Sequence, residues 1–259
     1  LVHLPRNYKN SDKKYPVLYT TDGQRGIARM SAITDHLSGF SRRVPEMIVV
    51  GISNAGSRFK DLNNNESSMQ FLSFVTDELQ PYINDKYRTN GENLLLGVSL
   101  GGQFVVKSLF ESPDAFDAYF AISPTIEGEG YKLINRAKRY SESGKPLKKS
   151  LYLSMANEGM SQGVDEMAFT LKKYPITDLT WSFTKLEKEA HASIFMPQAY
   201  AGLEDYYKSF APVHYENLKD FEERGGVIGL MRLYATRKSS TIPVDILEDV
   251  SYFYIDENR

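Results

Sequence analysis

A serine hydroxyl becomes a nucleophile only where the backbone presents it sharply and a base takes its proton. The segment Leu94-Leu95-Leu96-Gly97-Val98-Ser99-Leu100-Gly101-Gly102-Gln103-Phe104 supplies the presentation. Gly97 and Gly101 flank Ser99 two residues away on each side, after an apolar run that reads as a strand and before a helical pattern. That is G-x-S-x-G in the context it requires. At so tight a turn the neighbouring chain passes too close for a Cβ, and the serine sits in a backbone conformation that is costly elsewhere. The turn also sets Ser99 at the N-terminal end of the next helix, whose N–H groups and dipole favour a developing oxyanion. The plain alternative is a glycine-rich structural turn.

The base must be one of four histidines. Behind an elbow of this kind the chain order is nucleophile, acid, base, which removes His3 and His36. His214 lies beyond Pro212, where the character of the chain changes; His191 follows the strand-like TWSFTKL in the loop Glu189-Ala190-His191-Ala192-Ser193. His191 is therefore the candidate base, against the reading of a surface loop histidine. The orienting acid belongs at the end of a strand between the two. LYLSM runs directly into Ala156-Asn157-Glu158-Gly159, which nominates Glu158, a carboxylate able to accept the His191 Nδ1–H and fix the tautomer. Asp165, at the start of the next helix, is the second choice, with helix capping as its competing role. The oxyanion needs two backbone donors. One is the N–H of Leu100. The other comes from the loop after an early strand, Thr21-Asp22-Gly23-Gln24, and the N–H of Gln24 is the choice, although Asp22-Gly23 is equally well a simple turn. No two histidines have metal-ligand spacing and no phosphate-binding glycine loop is present, so no metal or cofactor is expected.

The elements that must position these groups alternate. Pro16–Thr20, Met47–Ile52, Asn93–Val98, Leu151–Met155 and Thr180–Phe183 are short apolar runs, continuous rather than alternating, as in strands buried on both faces. Between them, Ser67–Tyr87 carries Met69, Phe71, Leu72, Phe74, Val75, Leu79, Tyr82 and Ile83 at helical intervals, with Pro81 kinking or restarting the helix. Gly101–Glu111 and Val164–Tyr174 read the same way. The fold class is α/β: a doubly wound, mainly parallel sheet with helices on both faces. Residues 1–211 form the candidate catalytic domain. Residues 212–259 have no strands: Tyr215–Arg224, Val227–Thr236 and Pro243–Tyr254 are helix candidates around a break at Gly225-Gly226, either packed on the sheet domain or opening a separate helical module.

Composition removes other classes. The 259 residues hold 41% hydrophobic and 25% charged residues, enough to bury about 70–75% of the unfolded surface without staples. Lys+Arg 31 against Asp+Glu 33 leaves a net charge of −2, no footprint for nucleic acid or an anionic membrane. Without cysteine there are no disulfides, thiolate metal sites or cysteine nucleophiles. No apolar run approaches the roughly 18–20 residues that cross a bilayer. The opening Leu1-Val2-His3-Leu4-Pro5 reads as mid-strand rather than as a signal peptide, so the chain has the look of a form trimmed from an exported precursor.

Set side by side, VHLPRNY at 2–8, YPVLYTTDG at 15–23, PEMIVVGISN at 45–54 with Arg58 and Asp61-Leu62, FVTDELQPYINDKYRT at 74–89, LLLGVSLGGQF at 94–104, AISP at 121–124 and EAHAS at 189–193 resemble the Putative esterase (esterase D-like) family of α/β hydrolases. That family includes feruloyl and acetyl esterases, S-formylglutathione hydrolases, mycolyltransferase antigens and siderophore esterases. The resemblance implies a cofactor-free serine esterase acting through an acyl-enzyme. In it Ser99 is the nucleophile, His191 the base, Glu158 the acid, and the N–H groups of Gln24 and Leu100 the oxyanion donors. Many relatives have histidine where Val98 stands, and the strands that usually precede VHLP are lacking. Some carry a tetratricopeptide-like extension, whose opening Leu218–Arg259 resembles. Asn54 and Arg58 are candidate substrate-binding residues; turn chemistry and an Arg58–Asp61 ion pair are their alternative. Thr125–Lys149 lies where such folds insert a cap, its basic residues meeting an anionic substrate or simply facing solvent. A small-molecule ester is the expected partner, with no nucleic acid or membrane. An acyltransferase using the same site, and a non-catalytic binding module of this fold, are the rival readings.

Overall fold

The computed structural model describes residues 1–159, 161–235, 242 and 244–256. Seven strands form one sheet in the order β1-β3-β2-β4-β5-β6-β7. They are β1 Val2–His3, β2 Tyr15–Thr20, β3 Ile48–Gly51, β4 Thr89–Val98, β5 Ala118–Ile122, β6 Ser150–Ala156 and β7 Thr180–Leu186. Only β1 runs antiparallel, Val2 facing Val50; the other neighbours are parallel, with Leu18 opposite both Val49 and Leu94.

The helical segments between the first four strands include α1 Gly23–Asp35, α2 Arg58–Leu62, α3 Ser67–Ser73, a widened π turn at Phe74–Leu79, and α4 Gln80–Lys86. The π turn lies immediately before Pro81, in the first turn of α4, where the ring has no amide to offer and would press on the carbonyl four residues back. The single helix read from the sequence is thus one helical run with a widened middle. Then come α5 Leu100–Glu111, α6 Lys132–Glu142, α7 Gln162–Lys173 and α8 Phe195–Tyr206.

Parallel strands buried on both sides serve two cores at once, and successive side chains divide between them. Tyr15, Val17, Tyr19, Leu95, Tyr119, Leu151 and Leu153 face the core built with Leu72, Phe104, Leu109, Leu133 and Met167 from α3 and α5 to α7. Leu18, Val49, Leu94, Leu96, Phe120 and Ala156 face the other, with Met30 and Ile33 of α1 and Phe195 and Leu203 of α8. Both faces are covered. Strand β5 does not stand among the sequence-based strands, although its AYFAI is as apolar as the rest.

Helix α6 lies in Thr125–Lys149, the segment read as either a cap or a solvated helix face. It is the crossover between β5 and β6, packed on α5 and α7, with its bases spent on local ion pairs such as Arg136–Glu111 and Lys132–Glu129. After residue 212 follow α9 Leu218–Glu223, α10 Gly226–Ala235 and α11 Val244–Asp256. Their core of Tyr215, Phe221, Leu230, Tyr234, Ile246 and Val250 takes nothing from the sheet, and Gly225 and Gly226, at φ 96 and 55, make the break. Thr236, Pro243 and Arg259, the expected ends of tail elements, lie outside the described residues. Among the described residues no helix is long and apolar enough to cross a membrane.

Candidate active site

The chain leaves β2 for β3 on one side and returns from β3 to β4 on the other, so the crevice at the carboxyl ends of β2 and β4 is the topological switch point, the place where open α/β sheets hold ligands. Ser99 stands there, between β4 and α5, at φ 62 and ψ −123. A non-glycine residue in that region is strained and must be held from outside. Three backbone bonds hold it: the Ser99 N–H donates to the Ile122 carbonyl at 3.0 Å, and the Ser99 carbonyl accepts from the N–H groups of Gln103 at 3.0 Å and Thr125 at 3.2 Å. The glycines are explained by close approach. A Cβ on Gly101 would collide with Thr21 Oγ1, and one on Gly97 would come within 2.8 Å of the same atom.

Thr125 is a residue that the sequence reading missed. Its Oγ1 lies 3.4 Å from Ser99 Oγ. The buried Gln103 side chain accepts from the Asn64 N–H at 2.7 Å and donates to the Thr125 carbonyl, tying this loop to the first turn of α5. Its only signal was position, directly after AISP.

The turn after β2 is built against the elbow. The Thr21 N–H donates to the Leu96 carbonyl at 3.1 Å, and the Gly23 N–H to the Ile52 carbonyl at 2.7 Å. Asp22 between them is left-handed, at φ 52 and ψ 39. Gln24 and Leu100 fall in the first turns of α1 and α5, where amide N–H groups have no acceptor within their own helix. Gln24 also takes the Asn54 N–H on its side-chain oxygen at 3.2 Å.

Asn54 and Arg58 are engaged with the protein. Asn54 is fully buried; its side-chain oxygen accepts from the Asp22 N–H at 3.0 Å and its amide donates to Asp61 at 2.9 Å. Arg58 forms its ion pair with Asp22, at 2.8 Å, while Asp61 accepts from Asn54 and from Ser57 Oγ.

The loops that carry Glu158 and His191 meet at the ends of β6 and β7. Asn157 is the fastener: its N–H donates to the Glu189 carbonyl at 2.9 Å and its side chain to the Glu187 carbonyl at 3.2 Å. Glu158, the next residue, then places Oε2 2.7 Å from His191 Nδ1. The contact is close but the ring N–H is not aligned on the oxygen, and Nδ1 and Glu158 Oε1 are both buried without a hydrogen-bond partner. A small ring rotation would satisfy the nitrogen. The Glu158 side chain is 12% exposed and that of His191 38%. Asp165 is instead paired with Lys185 at 3.2 Å. His3 pairs with Asp35 at 3.0 Å, and the His36 ring packs on Tyr200. Among the described residues no group of three His, Asp or Glu side chains is placed to hold a metal ion.

Comparisons with known proteins find esterases and hydrolases among the similar chains. A siderophore enterobactin esterase of Emericella nidulans is 32% identical over 74 residues, 27% of this chain and 24% of that protein. Ferri-bacillibactin esterase BesA of Bacillus subtilis is 40% identical over 57 residues, 22% of this chain and 20% of that one. The matched stretches thus span about a quarter or less of these curated relatives. Among solved structures, an IroE-like serine hydrolase from Shewanella oneidensis superposes with a TM-score of 0.74 at 28% identity, covering 88% of this chain and 81% of its own. Siderophore hydrolase EstA of Aspergillus nidulans shares the fold, with a TM-score of 0.68 at 18% identity, covering 80% and 88%. The model of the Putative esterase family matches residues 1–168, from the first strand through the elbow and into α7. By that match, which takes in well over half of the sequence, this chain belongs to the Putative esterase family.

Proposed function

We propose that this protein is a serine esterase in which Ser99, His191 and Glu158 act as a triad within residues 1–211. The observation that carries the reading is a strained serine at the switch point together with a histidine–carboxylate contact at the ends of β6 and β7 of the same sheet. As Ser99 Oγ attacks the ester carbonyl carbon, its proton passes to His191 Nε2. The carbonyl π electrons move to oxygen, where the N–H groups of Leu100 and Gln24 receive the charge. Glu158 holds the other ring nitrogen and stabilises the imidazolium. The tetrahedral intermediate collapses, the alcohol leaves with the proton from His191, and water repeats the sequence to free the acid and Ser99.

The names of the curated relatives support an ester-linked siderophore as the substrate class. The test joins labelling to turnover. A fluorophosphonate should modify Ser99 in the native chain, not in Ser99→Ala, and far more slowly in His191→Ala. The native chain should hydrolyse a cyclic triester siderophore as well as simple aryl esters, with losses of several powers of ten in either variant, on the order of 10⁴-fold or more. Turnover that survives Ser99→Ala would overturn the reading.

A further inference from the structure

Resting on the oxyanion donors just proposed, we infer that Arg58 is a positioning residue: its guanidinium braces the β2 turn against the nucleophile elbow and so sets the spacing of the two donors.

The geometry is specific. Arg58 Nε donates to both carboxylate oxygens of Asp22, at 2.8 and 3.0 Å. Its Nη2 reaches the Val98 carbonyl at 3.4 Å. Asp22 is two residues before Gln24, and Val98 is two residues before Leu100. One planar, permanently charged group thus touches both turns at the same remove from the amides that would face the oxyanion, and the fixed fork of a guanidinium transmits position as a flexible ammonium cannot.

Asp22 is the member that needs holding. Its left-handed backbone is uncommon outside glycine, and the first turn of α1 follows directly from it. A second brace meets it: the Asp22 N–H is taken by buried Asn54, whose amide is aimed by Asp61. Arg58 and Asp61 both belong to α2, so this short helix is fastened to the β2 turn at the carboxylate and, through Asn54, at the amide. A substrate-binding arginine would keep its donors for a ligand. Here the Nε edge is committed to Asp22, whose side chain is only 10% exposed.

The two roles separate in kinetics. A brace acts on every ester, because it shapes the site for the developing oxyanion; a ligand contact acts through KM, and only on esters that carry the matching charge. With p-nitrophenyl acetate, neutral and small, Arg58→Ala should lower kcat about 10- to 100-fold and leave KM within about twofold. Arg58→Lys should fall between, and ethylguanidinium added to Arg58→Ala should restore part of kcat. Asp22→Asn, which keeps a side chain tolerant of the left-handed backbone, should lose a similar factor, and the double variant no more than either alone. Fluorophosphonate labelling of Ser99 should slow in parallel, with circular-dichroism melting confirming that each variant is folded. Unchanged kcat and labelling in folded Arg58→Lys and Arg58→Ala would overturn the brace, as would a KM increase confined to anionic esters. Either result would leave the serine mechanism standing provided the native chain is still labelled at Ser99; absent labelling of the native chain would remove the mechanism itself.

Discussion

The two halves of the candidate site are built by opposite means. Around Ser99 and the β2 turn, position is set by buried backbone: the serine is held by bonds to Ile122, Gln103 and Thr125, and the turn by bonds to Leu96, Ile52 and Asn54. Around His191 and Glu158, position is set by two loops clipped together at Asn157, and the histidine side chain is 38% exposed. The difference follows from the work each half would do. Donors that stabilise a developing charge are useful only when they do not reorganise, so they are placed on strained, crowded turns. A base that takes a proton from one oxygen and delivers it to another must adjust its ring at each step, and a half-exposed loop permits that.

The contrast is broken most severely at the loose half, where a single group does the holding. Glu158→Gln removes the charge facing the imidazolium and can present an N–H to Nδ1, selecting the wrong tautomer. Its kcat should fall about 10²- to 10⁴-fold, while the melting temperature changes little because the loop bonds of Asn157 remain. Asp165→Asn, affecting a carboxylate paired with Lys185, should leave kcat within about twofold. Steady-state kinetics on one aryl ester measures both, and the opposite ranking would move the acid role to Asp165.

The rigid half yields by a different route. Gly101→Ala places a methyl against the buried Thr21 Oγ1, on a turn whose backbone is bonded to Leu96 and beside α5, which is packed on β4 and β5. The turn must shift, which costs about 1–3 kcal/mol of stability by overpacking and on the order of 10² in kcat through misplaced donors. Urea unfolding and kinetics on the same preparation report both. Removing the opposing group with Thr21→Ser should leave the clash, since Oγ remains, whereas Thr21→Ala should relieve it.

What could be read in advance follows the same division. The strand–elbow–helix passage was legible because Gly97, Ser99 and Gly101 are dictated by local geometry, and local geometry leaves its mark at fixed spacing. The alternation of the sheet was legible for the same reason, in continuous apolar runs. Asn54 and Arg58 read, from their place after β3, as substrate-binding residues, with turn chemistry and an Asp61 ion pair as the alternative. Their shared partner Asp22, however, depends on how β2 and β3 lie side by side, which no spacing within one strand encodes. Thr125 passed unnoticed because it comes within reach of Ser99 only where the loop after β5 lies beside the elbow that follows β4, a pairing of strands that no local spacing encodes. Asn157, beside Glu158, shows its part only when the ends of β6 and β7 are adjacent.

The smallest effect tests how the rigid half is fastened from behind. Two turns beyond the elbow, on the same helix, Lys107 is 2% exposed and donates to the Asn65 carbonyl at 2.7 Å and to Ser68 Oγ at 2.5 Å, fixing the Asn63–Asn65 loop that also reaches Gln103. Burial lowers its pKa from 10.5 to about 8, with Arg136 pushing the same way and Glu111 opposing. The unfolded chain keeps the proton until about pH 10.5 and the folded chain releases it near pH 8, so between these values the unfolded state binds more protons and stability rises with pH. Below pH 8 both states are charged and the desolvation cost is fully present. The neutral amine still has two N–H groups for its two acceptors, so the loop stays fastened as the charge is lost. Lys107→Met has no such titration. Urea unfolding at pH 7 and pH 9.5 should therefore show the native chain gaining on this variant by about 1–2 kcal/mol at the higher pH. A difference that is flat or reversed with pH would mean that the ammonium is solvated in the folded protein.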